Sequence, residues 1–468
     1  MRILFFTWRS VLRRFVGVVG ELAAEGHEVV VMSPSHKARA LPGPLAKHPG
    51  VRLVSYDEIS DAGFGRAIAT LRQTRDYAWY LSPEQRVASF SRRHALDRLV
   101  KVATAGALGA DPAWPDPVLE LDTDDLLAVG DALAQLERRI PPDPGIVELI
   151  RAERADLVLV SPLVKQNFQQ TEIVKAARSL GVPIGFPVYS WDNLSNKGRV
   201  HVSPDRTFVW NEVQRREAID LHGIEPRSIV VTGAPHWDAF FDLQPSSGRD
   251  EFCGGHGFDP DRPIVLYLGS TVRICPDEAL VLGRWLQAVR KAPGALRGVN
   301  ILFRPHPDRP HSGTWPGGAG ERVSVSRHPR RADQSLYDEL HHAAAVVGLN
   351  TTAQIEASIL GKPVYTFSAG DLAPGQEGTL HFYYLLEGNG GVVSLAETLD
   401  EHVSRLGRGL AGDYDREAIR RFCETFVRPH GLDRPVAPIL ARELLALSGS
   451  TETARAASRG ADALSANR

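Results

Sequence analysis

Apolar residues fall along this chain in short solid runs separated by stretches of helical period. Ile3-Leu4-Phe5-Phe6-Thr7 is one such run, the pattern of a strand buried on both faces. Val11, Phe15, Val18, Val19 and Leu22 follow at helical spacing, Gly26 ends that helix, and His27-Glu28-Val29-Val30-Val31-Met32 is the next strand. Strand, helix and strand in so short a span predict a βαβ unit with parallel pairing.

The alternation breaks between about residues 60 and 140. That region is dense in Arg and Ala, carries Tyr77, Trp79, Tyr80, Phe90 and Trp114, and shows no strand pattern. It predicts a helical insertion, closed by Pro141-Pro142-Asp143-Pro144. Its arginines read as a solvated helical face, with an acceptor-binding surface as the functional alternative. Strands then resume at Asp156–Ser161, Val182–Tyr189, Arg206–Trp210 and Ile229–Thr232, with a helix over Thr171–Leu180. Gln244-Pro245-Ser246-Ser247-Gly248, followed by Gly254, Gly255 and Gly257, predicts a linker.

A second series begins at Pro263. Strands are expected at Ile264–Leu268, Asn300–Phe303, Val346–Val347 and Val364–Phe367, and helices over Asp277–Lys291, Gln334–Ala344 and Thr352–Leu360. Pro305–Gly320 is a Pro/Gly-rich loop. The expected fold class is therefore α/β: two Rossmann-like domains facing across a cleft, with a helical insertion in the first. The expected bounds are 1–243 for an N-terminal acceptor domain and 258–430 for a C-terminal nucleotide-donor domain. A C-terminal helix over 431–447 and a disordered tail over 448–468 complete the chain.

Composition narrows the function classes. The 468 residues carry 54 Lys+Arg against 56 Asp+Glu, a net charge of -2, which gives no basis for a nucleic-acid partner. Cys253, Cys275 and Cys423 are too few for a disulfide framework and lack zinc-site spacing, so no metal is expected. No apolar run reaches the ~18–20 residues of a membrane span. The first apolar run precedes Arg9, Arg13 and Arg14, the reverse of a signal peptide's charge order. A cytoplasmic protein is expected, with peripheral membrane association left open.

Candidate chemistry follows from asking what stands after each strand, because doubly wound sheets bind ligands at carboxyl strand ends. Gly269-Ser270-Thr271 follows the strand at 264–268, offering amides and hydroxyls suited to phosphate. Arg304-Pro305-His306-Pro307 follows the next, with two prolines fixing an Arg and a His. Asn350-Thr351-Thr352 opens the helix that contains Glu356, whose carboxylate is placed for vicinal hydroxyls such as those of a ribose. Glu377, Thr379 and His381 stand beyond the strand at 364–367. Together these four strand ends predict a nucleotide mono- or diphosphate ligand. Gly-x-Gly-x-x-Gly after the first strand, a P-loop and a nucleophile elbow are all absent, which disfavours dinucleotide, NTPase and esterase chemistry.

The second half resembles the GT-B superfamily of glycosyltransferases, in its bacterial envelope-polysaccharide and UDP-N-acetylglucosamine 2-epimerase-like branches. Val231-Thr232-Gly233, Arg304-Pro305-His306-Pro307 and the run from Gly348 through Glu356 to Val364 carry the resemblance. It implies that Glu356 is the ribose ligand and that Thr351 and Thr352 meet the phosphates. It further implies a metal-independent transfer, with Arg304, His306 and the helix start at Thr351 stabilising the departing phosphate.

Two departures from the family's patterns matter. The retaining pattern of two glutamates eight positions apart is not met, since Gly348 and Val364 stand there. The 2-epimerase Gly-Asp-Thr is replaced by Ser161-Pro162-Leu163. In the acceptor half, Asp192 is the expected general base, with Glu212 as the alternative, and His306 completes the expected catalytic set. Arg9, Arg14, Trp191 and Asn193 are the expected acceptor-binding residues. The expected partners are a nucleotide-sugar donor and a glycan, lipid-linked or small-molecule acceptor, in glycan or glycoconjugate biosynthesis. The rival expectations are a 2-epimerase-type epimerase or hydrolase, a CDP-glycerol-type glycerophosphotransferase, and a non-catalytic nucleotide-sugar-binding protein.

Overall fold

The computed structural model describes residues 1–58, 64–104, 121–164, 169–309, 322–326 and 333–448. It divides into two compact units. Unit 1 comprises Met1–Arg86, Ser91–Asp238 and the chain from Phe426; unit 2 comprises Val87–Phe90 and Ala239–Thr425.

Unit 1 is built on seven parallel strands: β1 (Arg2–Phe6), β2 (Glu28–Pro34), β3 (Val51–Tyr56), β4 (Leu157–Val160), β5 (Ile184–Pro187), β6 (Arg206–Val209) and β7 (Ile229–Val231). Their order is β3-β2-β1-β4-β5-β6-β7, so the succession reverses between β1 and β4. Both faces are covered. Ile3, Phe5, Val29 and Val31 pack against helix Val16–Ala24 and the helix over 436–448, while Leu4, Phe6, Val30 and Met32 pack against helices Pro144–Ala152 and Gln169–Ser179. This two-sided burial is what the solid apolar runs encode.

The predicted first helix is broken into Arg9–Leu12, a 3-10 turn at Arg13–Phe15, and Val16–Ala24. Strand β3 carried no strand signal, because an edge strand needs only half its residues inside. Val51 and Tyr56 are buried, whereas Arg52 reaches out to pair with Glu28 and Glu153. Helices Phe64–Trp79, Ser89–Thr104 and Thr123–Arg139 occupy the region of the expected insertion. The reading of its arginines as a solvated face holds for Arg86, Arg93, Arg138 and Arg139, which are exposed, but not for Arg72 and Arg75, which are 2% and 3% exposed.

Unit 2 has six parallel strands: β8 (Ile264–Leu268), β9 (Asn300–Arg304), β10 (Val323–Val325), β11 (Ala345–Gly348), β12 (Val364–Phe367) and β13 (Val393–Ala396). Their order is β10-β9-β8-β11-β12-β13, with the reversal between β8 and β11. Strands β10 and β13 were not expected from the sequence; each is a short edge strand. The stretch expected as a linker is instead part of unit 2. Ser246 donates its amide and hydroxyl to Asp338, at 2.9 and 2.5 Å, and Arg249–His256 is a helix that includes Gly254 and Gly255 and has Gly257 as its C-cap. The chain then returns to unit 1 at Phe426. Asp238 caps the start of the 436–448 helix, accepting from the amides of Val436 and Ala437 at 3.0 and 2.7 Å. Most of the Pro305–Gly320 loop and the tail beyond 448 lie outside the described residues.

Candidate functional site

In unit 2 the loops after β8, β9, β11 and β12 are tied to one another by backbone and amide hydrogen bonds. The Gly269 amide donates to the Arg304 carbonyl at 2.8 Å, and a Cβ at Gly269 would sit 2.8 Å from the His306 nitrogen. Glycine here serves the close approach of two loops. Asn350 donates from Nδ2 to the Gln376 carbonyl and Thr379 Oγ1, at 3.2 and 3.3 Å. The buried Gln376 side chain ties the loop after β11 to β12, donating to Leu349 O, Thr366 Oγ1 and Phe367 O. Gly375 lies so close to the loop after β8 that a Cβ would stand 2.4 Å from the Arg273 carbonyl. These ties make the four strand ends one continuous surface around the β8/β11 reversal, the place where open α/β sheets take ligands.

Several expected ligand residues build this surface instead of lining it. Ser270 is fully buried; its amide donates to both Glu278 carboxylate oxygens, at 2.9 and 3.0 Å, and its hydroxyl donates to Oε1 at 2.9 Å. Its donors are therefore not offered to a phosphate. Arg304 is ion-paired with the buried Glu339 at 2.8 Å and donates to Ser335 Oγ at 3.0 Å, so its charge is already balanced. Asn350 and Thr379 are inside the same hydrogen-bonded lattice, and His381 is buried in the short helix Leu380–Tyr383.

The half-buried members are Thr271, His306, Thr351, Thr352, Glu356 and Glu377. His306 Nδ1 accepts the Asp308 amide at 3.1 Å, which fixes the neutral ring with its proton on Nε2. Thr352 precedes helix Ala353–Ile359 by one residue, and Glu356 stands four residues further, on the same side. The Thr351 amide is held by Gln354 Oε1 at 3.2 Å, while Gln354 Nε2 donates to the Gly348 carbonyl at 3.0 Å.

Two residues that carried no motif signal shape the loop after β8. Arg309 is buried; its Nε donates to the Ser270 carbonyl at 2.6 Å, and its Nη atoms donate to the carbonyls of Thr271, Cys275 and Pro276. It pairs with Glu278 at 3.2 Å. Burial pushes the Glu278 carboxyl up to about 7, against the opposing pull of the Ser270 amide and Arg309. The folded chain thus binds this proton more tightly than the unfolded chain, whose carboxyl titrates near 4.5. Glu278 therefore contributes stability at low pH that is lost as pH rises from about 4.5 to about 7. Denaturant midpoints of the native chain should fall over this window relative to those of Glu278→Gln; parallel profiles would refute the assignment.

In unit 1, Asp192 accepts from Ser190 Oγ at 2.6 Å and pairs with Lys197 at 2.7 Å. It makes no side-chain cap to the short helix Asn193–Asn196. Glu212 is exposed at the first turn of helix Glu212–Asp220, where Asn211 is the cap. Arg14 donates to the Tyr189 carbonyl at 3.2 Å and lies over that ring, and Arg9 donates to the carbonyls of Ala40 and Leu41. The acceptor roles expected for Trp191 and Asn193 do not fit their burial. Trp191 is 4% exposed, leaving no ring face open, and Asn193 is fully enclosed, donating to the Val164 carbonyl. Among the described residues, no group of three or more His, Cys, Asp or Glu is placed to hold a metal, and no helix is long and apolar enough to cross a membrane.

No protein-family model matches this chain, and no curated protein matches it in sequence. Solved structures do match. A Listeria monocytogenes protein assigned as a UDP-N-acetylglucosamine 2-epimerase aligns at 14% identity with a TM-score of 0.53, covering 96% of each chain. A glycosyltransferase from Rickettsia africae aligns at 12% identity with a TM-score of 0.51, covering 96% of this chain and 98% of its own. With the two reversed-order parallel sheets, these alignments identify the chain's fold as GT-B.

Proposed function

We propose that this protein is a metal-independent glycosyltransferase that takes a sugar from a nucleotide-sugar bound by unit 2 and transfers it to an acceptor hydroxyl bound by unit 1. The observation that carries the reading is the surface at the β8/β11 reversal, where Thr271, His306, Thr351 and Thr352 stand on loops laced into one frame and Glu356 on the helix that follows. In this reading Thr351 and Thr352 meet the phosphates, Glu356 accepts from ribose hydroxyls, and His306 donates from Nε2 to the departing phosphate. Arg304 acts through the loop it anchors. Asp192 takes the acceptor proton, its carboxylate oriented by Ser190 and paired with Lys197.

The fold neighbours include a protein named as an epimerase of UDP-N-acetylglucosamine and one named as a glycosyltransferase. The segment after β4 favours transfer. The resemblance puts the aspartate of a Gly-Asp-Thr there in a 2-epimerase, whereas this chain has Pro162 at that place, after Ser161, whose hydroxyl donates to the Pro187 carbonyl at 2.6 Å. Incubation with UDP-, TDP-, GDP- and CMP-sugars in turn tests the reading. Free nucleotide should appear only when an acceptor is added, and an epimerised sugar nucleotide without acceptor would replace transfer by epimerisation.

A further inference from the structure

Three arginines of unit 1 meet no carboxylate among the described residues. Arg75, on helix Phe64–Trp79, is 3% exposed, and its Nε and Nη1 have no hydrogen-bond partner among the described residues. Arg98, on helix Ser89–Thr104, has its Nε and Nη2 buried in the same condition. Arg199, on the loop after β5, forms no ion pair among the described residues, yet is near enough to Arg75 for the two charges to repel.

Two acids, Glu137 and Asp76, attract Arg75 without pairing with it, and both are engaged elsewhere, Glu137 with Arg72 and Lys175. Asp76 accepts from the Arg199 amide at 2.8 Å and lies 3.3 Å from His201 Nε2. Burial holds the His201 ring below its ordinary range, so it adds no charge at neutral pH. Arg72, one turn earlier on the same helix, shows the contrast: two buried glutamates, Glu137 and Glu172, receive it. Burial, and then Arg199, push the Arg75 guanidinium down to about 10, which leaves it cationic at pH 7.

A buried guanidinium with orphaned donors and a second cation beside it is unfavourable unless something supplies the missing negative charge. The hydrogen bond from the Arg199 amide to Asp76 seats helix Phe64–Trp79 on the segment between the short helix Asn193–Asn196 and β6, which brings Arg199 within reach of Arg75.

We propose that Arg75, with Arg199 beside it, forms a binding site for an oxyanion, the phosphate or carboxylate of an acidic acceptor. The planar guanidinium of Arg75 offers its Nε and Nη1 donors as a fork that matches two oxygens of either group. Naming the ligand as the acceptor rests on the proposed transfer reaction; the oxyanion site does not.

The test is thermal unfolding of the full chain, with sodium phosphate and sodium acetate titrated separately at constant ionic strength and UDP in parallel. The native chain should gain a saturable rise in Tm with at least one of the two anions, and the one that acts distinguishes phosphate from carboxylate. Arg75→Met should raise the anion-free Tm by about 2–4 °C, because it removes an uncompensated buried charge. It should also abolish the saturable anion shift while keeping the UDP shift. Arg199→Met should weaken the anion shift at least several-fold. A lowered anion-free Tm or failure to fold in Arg75→Met would make the guanidinium structural and overturn the site. So would a saturable anion shift that survives Arg75→Met, or the absence of any such shift in the native chain. Loss of the UDP shift alone would count against the nucleotide-sugar reading and leave the oxyanion site standing.

Discussion

Arg72→Met should cost the first unit about 3–5 kcal/mol, the loss expected when one partner leaves a buried ion-pair network. Arg72 donates from Nε and Nη2 to Glu137 at 3.0 and 2.7 Å and from Nη2 to Glu172; Lys175 joins both glutamates at 3.1 and 3.2 Å. Glu172 also accepts the Asp143 amide at 3.0 Å, so the network ties helices Phe64–Trp79, Thr123–Arg139 and Gln169–Ser179 to the start of Pro144–Ala152. Without the guanidinium, two carboxylates stay inside with only Lys175 between them. Burial alone would raise Glu137, but Arg72 and Lys175 hold it at about 2. Its stabilisation is therefore complete above the ordinary 4.5 and lost as pH falls toward 2. Urea titrations of the native chain and Arg72→Met at neutral pH measure the loss directly. A change under about 1 kcal/mol, the size of an ordinary surface pair, would show the network to be incidental.

Arg309→Met should produce a loss of similar size, about 3 kcal/mol, but in unit 2 and with weakened nucleotide binding. The substitution strips the donors that hold the carbonyls of Ser270, Thr271, Cys275 and Pro276, and leaves Glu278 without its cation. Glu278 can relieve part of the penalty by taking up a proton, so the double variant Arg309→Met/Glu278→Gln should recover stability relative to Arg309→Met alone. It should not recover nucleotide affinity, because the loop after β8 remains unanchored. Additive stabilities in this cycle would show that the pair does not act as a unit.

How much of this was legible in the sequence depends on which physical signal each residue carries. The central strands are buried on both faces, and solid apolar runs such as Ile264–Leu268 and Val364–Phe367 mark them residue for residue. Edge strands β3 and β10 bury few of their residues fully and leave no such run, and β13, though mostly buried, is only four residues long and interrupted by Ser394. Ser246 and the 249–256 helix were obscured by a Gly- and Ser-rich composition that resembles a tether. At the site, residue type and strand-end position located the loops but not the direction of each side chain. Arg304 and Ser270 look like phosphate ligands until their partners Glu339 and Glu278 are known, and those partners stand 35 and 8 positions away. Arg309 sat inside a Pro/Gly-rich loop, where nothing marks a buried arginine. Arg72 and Arg75 looked alike as members of an arginine-rich helix, and only tertiary packing separates the one that is paired from the one that is not.

The claim on which the functional account rests is that the surface at the β8/β11 reversal holds a nucleoside phosphate. Calorimetric titration of UDP, GDP, TDP, CDP and CMP into the native chain and into Glu356→Ala tests it most directly. One nucleotide should bind the native chain with one-to-one stoichiometry. Glu356→Ala should bind it about ten-fold or more weakly, the loss of one or two charge-assisted hydrogen bonds, with an unchanged Tm. Binding of none of the five, or equal affinity in Glu356→Ala, would contradict the account.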